Sequence, residues 1–192
     1  MDIGFIGCGL IGGSLIKSLD RNAAHNIHFY DTDDETVKKV ELTTRAKYMS
    51  SLKMMKNCDV VFVCLHPKKS IDFIKNNIEN FKKGAVVSDV CGVKQSIADA
   101  VEDLLCENGI NYIGTHPMAG REFSGFDYAT DTLFENAYFI IAKPKNNADI
   151  SPLTQIAKDC RFKEIVITTA KKHDEIIAFT SQLAHIVSSA YI

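Results

Sequence analysis

The sequence predicts an α/β fold, doubly wound on a mainly parallel sheet, and three observations carry that expectation. Asp2 to Ser14 reads D-I-G-F-I-G-C-G-L-I-G-G-S, a short apolar strand that runs straight into Gly7, Gly9 and Gly12, with helical spacing from Leu10 to Leu19 behind it. Asp59 to Leu65 and Ala85 to Val90 are near-continuous apolar runs, as a central parallel strand needs when helices cover both faces. Each run is followed by a helical pattern, and that alternation favours βαβ units in a Rossmann-type sheet.

Ile3, Phe5 and Ile6 supply the first strand. In the G-x-G-x-x-G turn after it, Gly7 permits the tight bend, Gly9 lets a pyrophosphate approach the backbone, and Gly12 lets the helix pack closely on the strand. The helix N-terminus then meets the anion with free N–H groups and the positive end of its dipole. The second strand, Ile27 to Tyr30, ends at Asp31, at the spacing of the acid that binds an adenosine ribose. A structural turn that binds nothing is the bland alternative, and Asp31 also suits a strand-end residue that caps the next helix. A carboxylate there would repel a 2′-phosphate, and Thr32-Asp33-Asp34-Glu35 holds no arginine to neutralise one, so NAD is favoured over NADP.

A polar helix is expected from about Asp33 to Leu42, then the strand Asp59 to Leu65. His66-Pro67 stops that strand, and the proline can start a helix from Lys68 to Phe81. The strand Ala85 to Val90 leads to a helix from Lys94 to Leu105, and the strand Asn111 to Thr115 runs into His116-Pro117. Met118 to Leu133 is a long irregular stretch, and loops of that length in compact domains tend to be functional. Alternation resumes with Tyr138 to Ala142, a helix from Pro152, the strand Glu164 to Thr168 and a last helix from near Lys171. Ligands of such sheets sit at the carboxyl ends of the strands, where Leu65-His66-Pro67, Asp89-Val90-Cys91-Gly92 and Thr115-His116-Pro117 all fall. The expected cofactor contacts are therefore Gly7, Cys8, Gly9, Leu10, Ile11 and Gly12 of the turn, Asp31, and Leu65, His66, Pro67, Val90 and Cys91.

The 192 residues, 46% hydrophobic, can bury one core and begin a second domain. A net charge of −2 and lysines spread along the chain argue against a nucleic-acid partner. Six cysteines without a C-x-x-C pair or zinc spacing read as reduced thiols of a cytoplasmic protein with no metal site. The glycine-broken N-terminus argues against a signal peptide, and no apolar run is long enough to span a bilayer.

At about 100° per residue the last helix sets Asp174, Ala178, Ser181, His185 and Ser188 on one small polar face. Ile176, Phe179, Leu183, Ile186, Val187 and Ala190 share the opposite, apolar face. The polar face fits a pocket wall or plain solvent exposure. The apolar face runs to Ile192 uncovered, which points to a shortened chain or a second subunit. Of the six histidines, His25 and His28 lie far from the ligand edge and read as structural, and His66 reads as helix entry or a cofactor contact. His116, held by Pro117 at the ligand edge, is the candidate to take a proton near neutral pH. Glu122 is either its neighbour in the pocket, orienting it or a cationic substrate group, or a surface carboxylate.

Four segments together resemble the family of prephenate, arogenate and cyclohexadienyl dehydrogenases: G-C-G-L-I-G-G-S-L from Gly7, D-V-C-G-V-K from Asp89, G-T-H-P-M-A-G-R-E from Gly114, and H-D followed by T-S-Q-L-A-H between His173 and His185. The resemblance implies oxidative decarboxylation of prephenate with NAD to 4-hydroxyphenylpyruvate in tyrosine biosynthesis. Hydride leaves the ring carbon that bears the hydroxyl, His116 draws off the hydroxyl proton, and aromatisation makes loss of carbon dioxide irreversible. It further implies Glu122 near the substrate side chain and His185 near a substrate carboxylate, with Ser181 and His173 on the same helix. His173 lies about 120° from His185 on an ideal helix, so both face one pocket only if the helix kinks. It also implies a homodimer built through a C-terminal helical domain, and tyrosine as an inhibitor.

Two departures stand out. Many relatives read D-x-G-S-V-K, and Cys91-Gly92 here lacks that serine, leaving water, Thr115 or backbone N–H groups to replace its hydroxyl. The common S-H-L-P-H is Ser181-Gln182-Leu183-Ala184-His185. The expected division is a NAD-binding domain over 1–170 and, over 171–192, the first helix of a helical domain otherwise missing. If these residues are all there is, the expectation is NAD binding with little or no turnover. Arogenate dehydrogenase is the neighbouring reading. A non-catalytic NAD-sensing or partner-docking module is a third, against which the retention of His116, Glu122 and His185 argues.

Overall fold

Apolar alternation in Asp2–Ile6 (β1) sends Ile3 and Phe5 to one side of a sheet and Ile6 to the other, and the computed structural model, which describes residues 1–120 and 122–182, builds outward from this strand. It is followed by the helix Leu10–Asp20 (α1), the strand Asn26–Tyr30 (β2), the helix Asp34–Thr43 (α2) and the two-residue strand Lys47–Tyr48 (β3). Val60–Val63 (β4) lies on the other side of β1, and after it come the helix Pro67–Asn76 (α3), the strand Val86–Asp89 (β5), the helix Gln95–Glu107 (α4) and the strand Asn111–Tyr112 (β6). These six strands form one sheet in the order β3-β2-β1-β4-β5-β6, every neighbouring pair parallel. That order places the topological switch between β1 and β4, where such sheets bind their ligands.

The sheet is covered on both faces, as the unbroken apolar runs require. Val60 and Phe62 join Phe5 and Phe29 in one core layer, and Phe5 and Phe62 stack at 5.4 Å. Val61 and Val63 face the other way, against Val87, Ile97 and Val101 of β5 and α4. Pro67 opens α3 in the position where its missing N–H is not needed. Asp33 caps α2 by accepting the Thr36 N–H at 2.9 Å.

The expected strand from Asn111 to Thr115 is two strands. It breaks at Gly114, where a Cβ would come within 3.0 Å of the Lys94 stem and of the Tyr112 hydroxyl, and Thr115–Pro117 (β7) leaves for a second sheet. That sheet has the order β7-β8-β9, with Tyr138–Ala142 (β8) antiparallel to β7 and Glu164–Thr168 (β9) parallel to β8. The helix Ser151–Asp159 (α5) links β8 to β9. The final helix, Ala170–Ile177 (α6), starts at a Thr169 cap and widens into a π-helical turn over Ala178–Gln182. Over Ala178–Gln182, therefore, the uniform 100° spacing used to assign helix faces does not apply. Ile176 and Phe179 are exposed, as expected of the apolar face. Among the described residues no helix is long and apolar enough to cross a membrane.

Candidate active site

The glycine turn has the geometry its spacing demands. Gly7 adopts φ +91°, and a Cβ there would lie 2.9 Å from the Cys64 carbonyl oxygen. At Gly12 a Cβ would overlap the Gly7 carbonyl oxygen. At Gly9 nothing stands within 4 Å of the Cβ position, and no side chain caps α1. Open space beside backbone, next to uncapped helical N–H groups, fits a pyrophosphate.

Asp31 is held beside this turn, its Oδ2 accepting the Cys8 N–H at 2.7 Å and its Oδ1 accepting the Asp33 N–H at 3.0 Å. Each oxygen keeps acceptor capacity for a ribose hydroxyl. Asp33, and not Asp31, caps the next helix. A groove of about 420 Å³ runs from Asp31 and the turn past Leu65, His66 and Pro67 to Val90, Cys91 and Gly92. Every residue expected to hold the cofactor lines it except Cys8, whose side chain is fully buried and whose N–H goes to Asp31. Cys64, Lys69, Ser124 and Gly125 line it too. The first two flank segments already singled out, and Ser124 and Gly125 belong to the irregular Met118 to Leu133 stretch expected to be functional, within which no periodic signal marked these two residues. Cys91 is a poor nucleophile, because burial and the neighbouring Asp89 push its thiol up to about 12.

Behind Gly92 lies His116. Its Nε2 is 3.7 Å from where a Gly92 Cβ would be, so the ring edge meets the far end of the groove. Its Nδ1 is 2.9 Å from His173 Nε2, and His173 Nδ1 is 2.7 Å from Asp174 Oδ1. Asp174 also accepts the N–H groups of Lys94 and Gln95 at 2.8 and 2.9 Å, capping α4 from far along the chain. Burial lowers the His116 pKa to about 4, with His173 and the Lys94 cation adding to the effect and Asp89 and Asp174 opposing it.

Because this pKa falls below its ordinary 6.5, the unfolded chain binds the extra proton first as pH drops from 6.5 to about 4. Stability is complete above that window and declines through it, by up to about 3 kcal/mol for a shift of this size. Denaturant titrations at several pH values should show that decline, and His116→Asn should flatten it.

Beneath His116 a second polar cluster is sealed from water. The Asp89 carboxylate accepts from Lys94 Nζ, from the Tyr112 hydroxyl at 2.5 Å and from the Cys91 N–H at 2.8 Å. Lys94 is 1% and Asp89 0% exposed, a buried pair whose desolvation is offset by these extra bonds. Sequence reasoning missed Lys94, Asp89 and Asp174 as site residues, although the D-V-C-G-V-K and H-D segments that hold them carry part of the family resemblance.

Several expected substrate contacts fall elsewhere. Thr115 is fully buried and its hydroxyl donates to the Asp89 carbonyl oxygen at 2.7 Å, so it cannot stand in for the missing serine. His173 is 1% exposed and occupied on both nitrogens, which puts it behind His116 and not on a wall facing substrate. Glu122 is exposed on the loop after β7, and among the described residues no hydrogen bond joins it to His116; His173 orients that ring instead. His185 and the side chain of Ser181 lie outside the described residues. His25 and His28 pair with Asp159 and Asp2, far from the groove, as structural residues would.

Sheet order, glycine turn and the groove-lining Asp31 carboxylate together point to a nucleotide-binding α/β protein of the dehydrogenase type. The chain belongs to the prephenate dehydrogenase family, whose nucleotide-binding domain matches residues 15–166. It is 27% identical to a prephenate dehydrogenase of Lactococcus lactis over 97% of this chain and 52% of that protein. It is 24% identical to a cyclohexadienyl dehydrogenase of Zymomonas mobilis over 97% of this chain and 64% of the other. Synechocystis arogenate dehydrogenase superposes with a TM-score of 0.87 at 28% identity, covering all of this chain and 68% of that one. Prephenate dehydrogenase from Aquifex aeolicus, in complex with hydroxyphenyl propionate and NAD+, gives 0.85 at 25% identity, again over 100% and 68%. The chain thus spans about half the length of the curated prephenate dehydrogenases it matches.

Proposed function

We propose that the chain is the NAD-binding part of an enzyme that oxidatively decarboxylates prephenate to 4-hydroxyphenylpyruvate in tyrosine biosynthesis. The observation that carries this reading is the alignment along one groove of the glycine turn, Asp31 and, behind Gly92, the His116 ring edge. NAD bound there supplies the hydride acceptor. Gly7 and Gly12 shape the turn, the α1 N-terminus meets the pyrophosphate, and Asp31 takes the ribose hydroxyls. His116 accepts the proton of the substrate hydroxyl at Nε2, and the absence of a side chain on Gly92 leaves room for that hydroxyl. Glu122 and His185 serve the substrate's far end. Residues 1–170 form the nucleotide domain and 171–192 begin a helical one, although His173 and Asp174 reach back into the first. The same reading carries a cytoplasmic homodimer inhibited by tyrosine. Likeness to the Synechocystis enzyme favours arogenate as the second substrate to try. Assaying full-length protein with both substrates and NAD decides between them, and turnover of neither would overturn the proposal.

Cofactor choice has its own test. Asp31→Asn retains an acceptor for the Cys8 N–H but removes the charge, so NAD affinity should fall about 10-fold, the size of one charge-assisted hydrogen bond, while the preference against NADP narrows. Calorimetric titration with each dinucleotide reads both effects. NADP binding to the unaltered chain as tightly as NAD would refute the selectivity.

A further inference from the structure

His116, His173 and Asp174 form one line of hydrogen bonds ending in a carboxylate, and the chemistry of that end sets the direction of every bond in it. Asp174 is ionised at neutral pH. Burial works against its charge, but the N–H groups of Gln95 and Lys94 and the His173 ring outweigh it and hold the carboxyl below its usual range. An ionised carboxylate only accepts, so His173 must carry its hydrogen on Nδ1. His173 is 1% exposed, and the Asp174 charge is already met at the α4 N-terminus, where two N–H groups and the helix dipole face it. A buried imidazolium at 173 is therefore not needed to balance Asp174, and a neutral ring leaves Nε2 as an acceptor. The hydrogen between the two rings then belongs to His116 Nδ1.

We propose that His173 and Asp174 are positioning residues that lock His116 in its Nδ1–H tautomer, so that its Nε2 lone pair is the one presented beside Gly92. This rests on the reading of His116 as the proton acceptor and says how it comes to be one. An Nε2–H ring in the same place would be a donor and could not take the substrate proton. Among the described residues no group hydrogen-bonds His116 Nε2, and the bond they make to the ring is on the Nδ1 side. Burial, the leading cause of the depressed His116 pKa, acts in the same sense, since it keeps the ring neutral at the pH where a lone pair is wanted. The arrangement ties this to the fold: the carboxylate that orients the rings is also the cap of α4, whose preceding loop carries Cys91 and Gly92 to the groove.

The test is long-range proton–nitrogen NMR of the chain with ring-15N histidine at pH 7, with no dinucleotide or substrate present. The His116 signals are assigned by their loss in His116→Asn. The expected spectrum has a protonated Nδ1 and a bare, pyridine-type Nε2. His173→Phe removes the acceptor and should move the proton to Nε2, the position a histidine ring favours when nothing holds Nδ1. His173→Gln, whose Oε1 can reach the place of the lost Nε2, should restore the original pattern. An Nε2–H tautomer or an imidazolium in the unaltered chain at pH 7 overturns the proposal, as does an unchanged tautomer in His173→Phe. If that variant does not fold, the spectra of the unaltered chain and of His173→Gln decide the matter. Turnover assays judge the dehydrogenase reading separately: a locked tautomer without turnover would sink that reading and leave this one standing.

Discussion

His116→Asn is expected to lower turnover of prephenate or arogenate by about 10²- to 10⁴-fold, the range for loss of a positioned general base, with no change in NAD affinity. Asparagine is the substitution of choice because its side-chain NH₂ can replace Nδ1–H as the donor to His173, so the relay behind the ring persists while the groove-facing nitrogen disappears. The loss should fall on kcat more than on KM, because the missing interaction belongs to the transition state. The base in the free enzyme should titrate near 4 and not near 6.5, so kcat/KM should stay flat from neutral pH down to about 5 before its acid limb falls. A variant with undiminished turnover would remove His116 from the chemistry, and an acid limb near 6.5 would show a ring far wetter than its surroundings here.

Much of the fold was open to a reader of the sequence because it follows from short-range rules. The turn at Gly7 to Gly12 needs residues without Cβ atoms, and β4 needs an unbroken apolar run because it is covered twice. The parts that stayed hidden depend on distance along the chain. β3 is two residues long and owes its existence to β2 beside it. The split at Gly114 arises because the chain there crosses the Lys94–Asp89 cluster, which pattern reading does not reveal. Thr115 was expected at a ligand edge, yet its hydroxyl is turned inward onto β5. The clearest case is His173: 57 residues separate it from His116, and a helical wheel of constant pitch set it against His185 across a segment that contains a π turn. Its neighbour Asp174, placed on a polar face that fitted either a pocket wall or solvent, is spent on capping α4.

Gly9→Ala and Gly12→Ala should separate what the turn does for the ligand from what it does for the fold. A methyl group at Gly12 would collide with the Gly7 carbonyl oxygen, a backbone atom that cannot rotate away, and with Cys64 Cβ at 3.1 Å. Strain of that kind costs about 3 kcal/mol, and in a chain of this size the melting temperature should drop by ~10 °C. NAD affinity should fall with it, because α1 can no longer lie against β1 and its N-terminus leaves the pyrophosphate site. At Gly9 the added methyl meets nothing in the protein, and the backbone there has an ordinary negative φ of −68°. Stability should change by less than about 1 kcal/mol, the usual scale for a residue swapped at a helix start. The methyl would stand in the open space through which the pyrophosphate reaches the backbone, so affinity for NAD should weaken at least ~10-fold in a protein that melts normally. Thermal melts and calorimetric titrations on the two variants give the four numbers needed. A Gly9→Ala chain that binds NAD as well as the parent would place the anion somewhere other than this turn, and the groove would lose its dinucleotide.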